Sequence, residues 1–401
     1  MDTLRELYKV GNGPSSSHTM GPKKAALIFK NKNLDADRFE VELYGSLAAT
    51  GKGHLTDYIV RNTLGSEKTN VKFLEEVNYD YHPNGIKFIA YKNNKVVDEW
   101  LVFSVGGGEL RELNELRADA LNDVYPLKYM EDILNYCEMN KMSFYDYVIK
   151  YEGKEILEYA SMILDVMIDS IERGFKTEGH MPGPLKVERK AKNLYDQYLA
   201  SPHSTTLQFA SSLAVSEENA CGGEIVTAPT CGSSGVVPGA LYTELVHYKK
   251  ERKLVIEGLL VGGLIGNIIK HTGSISGAEV GCQGEIGVAC SMAAAAITYI
   301  QGGTNKQIEY ASEIALEHHL GLTCDPVMGY VQIPCIERNA MSCKRAFDSS
   351  KFALLTNGEH YIKLDDAVKT MVETGKDLDM EYRETSLGGL AKHKIINWYK
   401  N

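Results

Sequence analysis

The apolar/charged alternation that marks half-buried strands is confined to the first quarter of the chain. Phe39-Glu40-Val41-Glu42-Leu43 alternates, as do Ile86 to Tyr91 and Val96 to Val105 on either side of Asn93-Asn94, a pattern that predicts a hairpin. Gly106-Gly107-Gly108 ends this run, and from Tyr129 onward strand signals almost vanish. Apolar residues then recur at helical spacing, as in Ile156, Tyr159, Ile163, Met167 and Ile171. Further helices are expected over 210–219, 236–248, 259–269, 288–300, 307–318, 339–355 and 364–374. The pattern predicts an α+β fold: a small N-terminal α+β domain over 1–122, including a connection, followed by a larger all-α domain over 123–401.

The 401 residues carry a net charge of -10, which argues against nucleic-acid and anionic membrane partners. Eight cysteines are too dilute for a disulfide scaffold and point to a reducing, cytoplasmic setting. The start, Met1-Asp2-Thr3-Leu4-Arg5-Glu6, lacks the basic and apolar regions of a signal peptide. The runs 259–269 and 292–300 are too short to span a bilayer and read as buried helices.

Three of the cysteines stand in polar settings beside helix breakers. These are Cys282 after Gly281, Cys324 before Asp325-Pro326, and Cys335 after Pro334. Three soft thiolates meeting in space would suit an iron–sulfur cluster with one iron free of protein ligands, a Lewis acid more than an electron carrier. The spacing is not that of a compact ferredoxin run, so ordinary buried cysteines satisfy it equally well. Cys290 and Cys343 lie in apolar helical context and read as core.

The first domain holds two polar loops. Gly13 to Pro22 places Ser15, Ser16, Ser17, His18 and Thr19 at a helix entrance, more hydroxyls than a single N-cap needs. Gly51-Lys52-Gly53-His54 opens a second helix, expected to run to about Leu64. The Gly/Ser loop Thr230–Gly235 could cradle a phosphate, which raises a pyridoxal phosphate reading. None of Lys176, Lys186, Lys270 or Lys376 has a setting suited to a Schiff base, so pyridoxal phosphate is not expected. His318 and His319 close a helix, where a cap role is expected.

Taken together, these motifs resemble the bacterial iron–sulfur L-serine dehydratases, in the single-chain form with a β-type domain before an α-type domain. The resemblance rests on Gly13-Pro14-Ser15-Ser16-Ser17-His18-Thr19-Met20-Gly21-Pro22 and Thr50-Gly51-Lys52-Gly53-His54. It continues through Glu217-Glu218-Asn219-Ala220, Thr227-Ala228-Pro229-Thr230, Gly281-Cys282-Gln283-Gly284-Glu285, Thr323-Cys324-Asp325-Pro326, Pro334-Cys335-Ile336-Glu337-Arg338-Asn339 and Tyr382-Arg383-Glu384-Thr385-Ser386.

It implies a [4Fe–4S] cluster on Cys282, Cys324 and Cys335, a small amino-acid substrate and a homodimer. His54 is the expected base, with His18 next, since a neutral imidazole suits proton abstraction at cellular pH. Ser15, Ser16, Ser17, Thr19, Asn219, Thr230 and Arg338 are the expected substrate-binding residues; an ion pair inside the α-domain would suit Arg338 equally. Threonine or cysteine as substrate, and a non-catalytic iron–sulfur sensor, are the alternatives. Cys231 is expected to line the pocket. Some members resemble a form whose C-terminal cysteine reaches the open iron; here the sequence ends Asn397-Trp398-Tyr399-Lys400-Asn401, so that self-inhibition is not expected.

Overall fold

A computed structural model describes residues 1–113 and 123–393. The expected domain boundary falls at the edge of 114–122, and the last eight residues of the sequence likewise lie outside the described residues.

Seven strands are present among the described residues: β1 (Val10–Asn12), β2 (Arg38–Tyr44), β3 (Thr69–Leu74), β4 (Gly85–Lys92), β5 (Lys95–Gly106), β6 (Glu109–Arg111) and β7 (Glu224–Val226). Five form one sheet in the order β3-β2-β4-β5-β6. Its β2–β3 pair is parallel and the others antiparallel. The period-two pattern of β2 puts Phe39, Val41 and Leu43 on the buried face, where they share a core with Phe29 of helix Gly21–Lys32 and Phe88 of β4. The β4–β5 hairpin turns where expected. Asn93 and Asn94 both adopt the left-handed conformation, with φ of 51° and 61°, which Asn tolerates and a two-residue turn of this hand requires.

Strand β3 was not legible as a strand, because Thr69-Asn70-Val71-Lys72-Phe73-Leu74 carries only a short alternating run. Strand β1 pairs not with the sheet but with β7, far along the chain, through Val10 and Val226. Leu4, Leu7 and Tyr8 pack in the helical core, and the Tyr8 hydroxyl donates to the Leu259 carbonyl at 2.9 Å. The chain therefore begins against the helices and enters the sheet only after the serine-rich segment, which places that segment at the junction.

The helical part is built around two helices, Arg252–Thr272 and Ile286–Ile300. Small residues let them approach closely: a Cβ at Gly262 would lie 2.6 Å from the Met292 carbonyl oxygen. Helix Arg252–Thr272 is longer than its apolar run suggests. It is long and apolar enough to cross a membrane, but 72% of its apolar window is buried inside the protein. The region expected as one helix around Tyr145–Arg173 is two, Phe144–Glu152 and Ile156–Gly174, broken at Gly153, whose φ is 77°. A final helix, Leu364–Asp377, precedes a C-terminal segment that returns to the junction.

Candidate active site

The serine-rich segment is a single wide helical turn, Ser16–Met20, running directly into helix Gly21–Lys32, rather than an open loop. Ser15 caps it: its hydroxyl accepts the His18 backbone N–H at 3.1 Å. The turn buries His18 completely. The His18 Nδ1 lies 2.8 Å from the Ser17 hydroxyl and its Nε2 lies 3.2 Å from the Ser46 hydroxyl. Ser46 sits in a short helix, Gly45–Thr50, that directly precedes the second polar loop.

That loop, between Gly51 and Leu55, carries His54 alongside His18, with ring centroids 4.5 Å apart. Side chains lock the two segments together. The Thr19 hydroxyl donates to the His54 carbonyl at 2.8 Å, and the Thr56 hydroxyl to the His18 carbonyl at 2.6 Å. Desolvation holds both imidazoles neutral, lowering His54 to about 4 and His18 well below its ordinary value. The His54 Nδ1 lies 3.1 Å from the Thr50 carbonyl oxygen. A carbonyl accepts only, so Nδ1 bears the proton and Nε2 carries the free lone pair.

The C-terminal segment supplies the next group. The Glu384 carboxyl is buried, with one oxygen 3.4 Å from His18 Nδ1 and 3.8 Å from His54 Nε2. Burial raises its pKa well above the carboxylate range, and the charge of Glu285 adds to the effect. Its backbone N–H donates to the Cys324 carbonyl at 2.8 Å, and its carbonyl accepts from the Ser46 hydroxyl at 2.7 Å. Glu384 has a φ of 57°, a strained conformation for a residue with a side chain. One residue thus ties the imidazoles of the sheet part to the cysteines of the helical part.

Cys282 opens a short turn after Gly281, whose φ is 75°. Cys324 lies in extended backbone bridged to Arg383, and Cys335 is the first residue of helix Cys335–Leu354, which begins four residues earlier than its periodicity suggests. Ligand atoms of Cys282, Cys324 and Glu285 all lie within 4.8 Å of one another. The Cys324 thiol and the Arg338 guanidinium hold the Cys282 thiol below its ordinary value, while burial and the charge on Cys282 raise Cys335. Cys335 is not within that group but lies close enough to feel the Cys282 charge, so two soft sulfur donors beside a carboxyl, a third thiol nearby and a cation to offset thiolate charge are compatible with an iron–sulfur cluster.

The remaining expected residues are accounted for as follows. Arg338 donates to the Thr323 carbonyl at 2.6 Å and pairs with Asp325 at 3.2 Å, so its guanidinium braces the Cys324 loop. The Thr230 hydroxyl donates to Glu285 at 2.7 Å. Asn219 Nδ2 donates to the Pro14 carbonyl at 2.8 Å and holds the start of the serine turn, while its Oδ1 is buried without a partner. A Cβ at Gly13 would lie 2.1 Å from that oxygen. Ser16 is buried in the same turn. Cys231 is buried against the Met20 sulfur at 3.4 Å. His319 is not at this site: its ring bonds the Ala315 carbonyl and the Ser342 hydroxyl. Glu285 and Glu384 both stand in the motifs quoted above, but a lone glutamate in sequence carries no sign of its burial.

Comparison with known proteins identifies the family. The family described as "Serine dehydratase beta chain" matches residues 3–70, and "Serine dehydratase alpha chain" matches residues 71–391. "L-serine dehydratase 1" of Escherichia coli (strain K12) is 38% identical, covering 98% of this chain and 99% of that protein. "L-serine dehydratase" of Haemophilus influenzae is 39% identical, covering 99% of this chain and all of that protein. The corresponding protein of Helicobacter pylori is 36% identical over 97% of this chain. With both matches present in one continuous polypeptide, the chain belongs to the serine dehydratase family.

Proposed function

We propose that this chain removes water and then ammonia from L-serine, giving pyruvate and ammonium, with a [4Fe–4S] cluster held by Cys282, Cys324 and Cys335. The observation that carries the proposal is the convergence of Cys282 and Cys324, with Cys335 within reach of the Cys282 charge, beside a buried pair of neutral imidazoles that Glu384 ties to Cys324. The division into an α+β domain to residue 122 and an all-α domain beyond it belongs to the same reading, with the site between them.

A bound cluster with one iron free of cysteine supplies Lewis acidity toward the substrate's carboxylate and hydroxyl. The chain supplies the base. Both ring nitrogens of His18 are engaged by serine hydroxyls, whereas His54 has its Nδ1 proton fixed on the Thr50 carbonyl and its Nε2 lone pair free. His54 Nε2 is therefore the atom that takes the α-proton. His18 and Glu384 set the orientation of that ring, and Ser15 and Thr19 fix the backbone that carries it. Ser16, Ser17, Asn219, Thr230 and Arg338 shape the space in which serine sits. Loss of the hydroxyl leaves aminoacrylate, which tautomerises and hydrolyses in water.

The test is an anaerobic reconstitution followed by a pyruvate or 2-oxobutyrate assay with serine, threonine and cysteine. Serine should give the highest kcat/KM. Iron-free protein that is fully active would overturn the proposal.

A further inference from the structure

The site holds a deep-lying carboxyl with no cation partner among the described residues. Glu285 lies deep in the protein, yet its surface is only partly covered, as is that of Cys335. Its carboxyl accepts one hydrogen bond, from Thr230 at 2.7 Å. Among the described residues no lysine, arginine or histidine is paired with it; Arg338, the nearest cation by its effect on the thiols, is committed to Asp325 and the Thr323 carbonyl.

Two glycines let the backbone pack close against it. A Cβ at Gly277 would lie 2.8 Å from one carboxyl oxygen and 3.3 Å from the Cys324 sulfur, and a Cβ at Gly232 would lie 3.1 Å from the other oxygen. The carboxyl and the Cys324 thiol thus face the same volume. A carboxylate held away from bulk water without a cation is costly, and a ligand that brings a cation removes that cost.

We infer that Glu285 is the seat of the substrate's ammonium group and the residue that selects amino acids over plain hydroxy acids. This rests on the serine reading above. Covalent structure keeps the ammonium of an α-amino acid beside its carboxylate, so a substrate engaged at the thiols carries its cation into their immediate surroundings. Of the carboxyl side chains described there, Asp325 is paired with Arg338 and Glu384 faces His18 and His54. Glu285, fixed by Thr230 and flanked by glycine, is the one whose surface is only partly covered, whereas Glu384 is buried.

Non-reacting ligands test this on the anaerobically reconstituted holoenzyme. L-Alanine and propionate differ only in the ammonium group, and calorimetry reads their binding directly. The wild-type protein should prefer alanine. Glu285→Gln keeps the shape and the bond from Thr230, and it should cost alanine about 10- to 100-fold in affinity while leaving propionate unchanged or tighter, as expected for loss of a charge-assisted bond. The KM for serine should rise by a similar factor. The 57Fe Mössbauer spectrum and the iron content should not move. Thr230→Val, which keeps the carboxylate, should retain the preference for alanine.

Equal weakening of both ligands by Glu285→Gln would overturn the inference. So would a changed Mössbauer spectrum, which would make Glu285 a ligand of the cluster. If the wild-type holoenzyme neither prefers alanine to propionate nor releases pyruvate from serine, the functional reading itself falls, and this inference with it.

Discussion

Two groups of cysteines lie in the helical part, and depth does not separate them. Cys290 and Cys343 are fully buried between helices Ile286–Ile300 and Cys335–Leu354. Burial is the main force driving their thiols far up, and the Cys290 thiol donates to the Ser342 carbonyl at 3.2 Å. Cys282 is buried almost as well, yet the neighbouring Cys324 thiol and the Arg338 guanidinium pull it down. Cys324 is raised by its contact with Cys282 and by burial, and Cys335 by burial and the Cys282 charge, so what sets this group apart is that its sulfurs act on one another beside the Arg338 guanidinium. Helix interiors provide only apolar walls, whereas turns at Gly281, Pro326 and Pro334 bring polar groups to the sulfur.

The sharpest way to break this comparison is to exchange serine for cysteine in each group. Cys282→Ser, Cys324→Ser or Cys335→Ser should abolish iron binding and turnover together, measured as iron per chain and pyruvate release. The same replacement at Cys290 should leave iron intact. Iron lost equally from both groups would mean that the distinction drawn here is wrong.

His54→Ala comes next in size. It should lower kcat by about 10²- to 10⁴-fold with full iron content, and it should stop exchange of the α-deuteron of labelled serine. His18→Ala should act more on KM.

A smaller effect separates the inert region from the site. His319, hydrogen-bonded to Ser342 beside Cys343, is lowered to about 4 by burial. The unfolded chain takes up a proton near pH 6.5 and the folded chain does not, so stability is full above that pH and declines as pH falls toward 4. The loss should be on the order of 3 kcal/mol, from about 1.4 kcal/mol per pKa unit. Chemical denaturation at pH 7 and pH 4.5 should show it, and His319→Gln should remove its share of that dependence, leaving the shares of His18 and His54, without changing iron content. The smallest effect is that of Cys343→Ala, about 1–2 kcal/mol of stability from the small cavity it leaves.

Much of this architecture could be read from the residues. The hairpin at Asn93-Asn94, the helical periodicities and the glycine and proline breaks beside three cysteines are local signals, and local structure followed them. What could not be read depends on distant partners. Strand β3 is stabilised by its parallel neighbour β2, and β1 by β7, so neither carries enough pattern alone. The serine-rich segment looked like a loop because serine and glycine favour loops; its helical turn is held by His54, Thr56 and Asn219 from elsewhere in the fold. Glu285 and Glu384 resembled any surface acid until the fold enclosed them.

The bridge formed by the C-terminal segment has a consequence for how the protein is made. Cys324 donates its backbone N–H to the Tyr382 carbonyl and accepts from the Glu384 N–H, both at 2.8 Å, while Glu384 supplies the carboxyl that faces both imidazoles. Chains emerge from the ribosome N-terminus first. The histidines and all three cysteines are thus synthesised before the segment that joins them. A nascent chain that has not yet reached Tyr382 and Glu384 lacks both backbone bonds to Cys324 and the carboxyl that faces the imidazoles, so the pocket is completed only after that segment emerges.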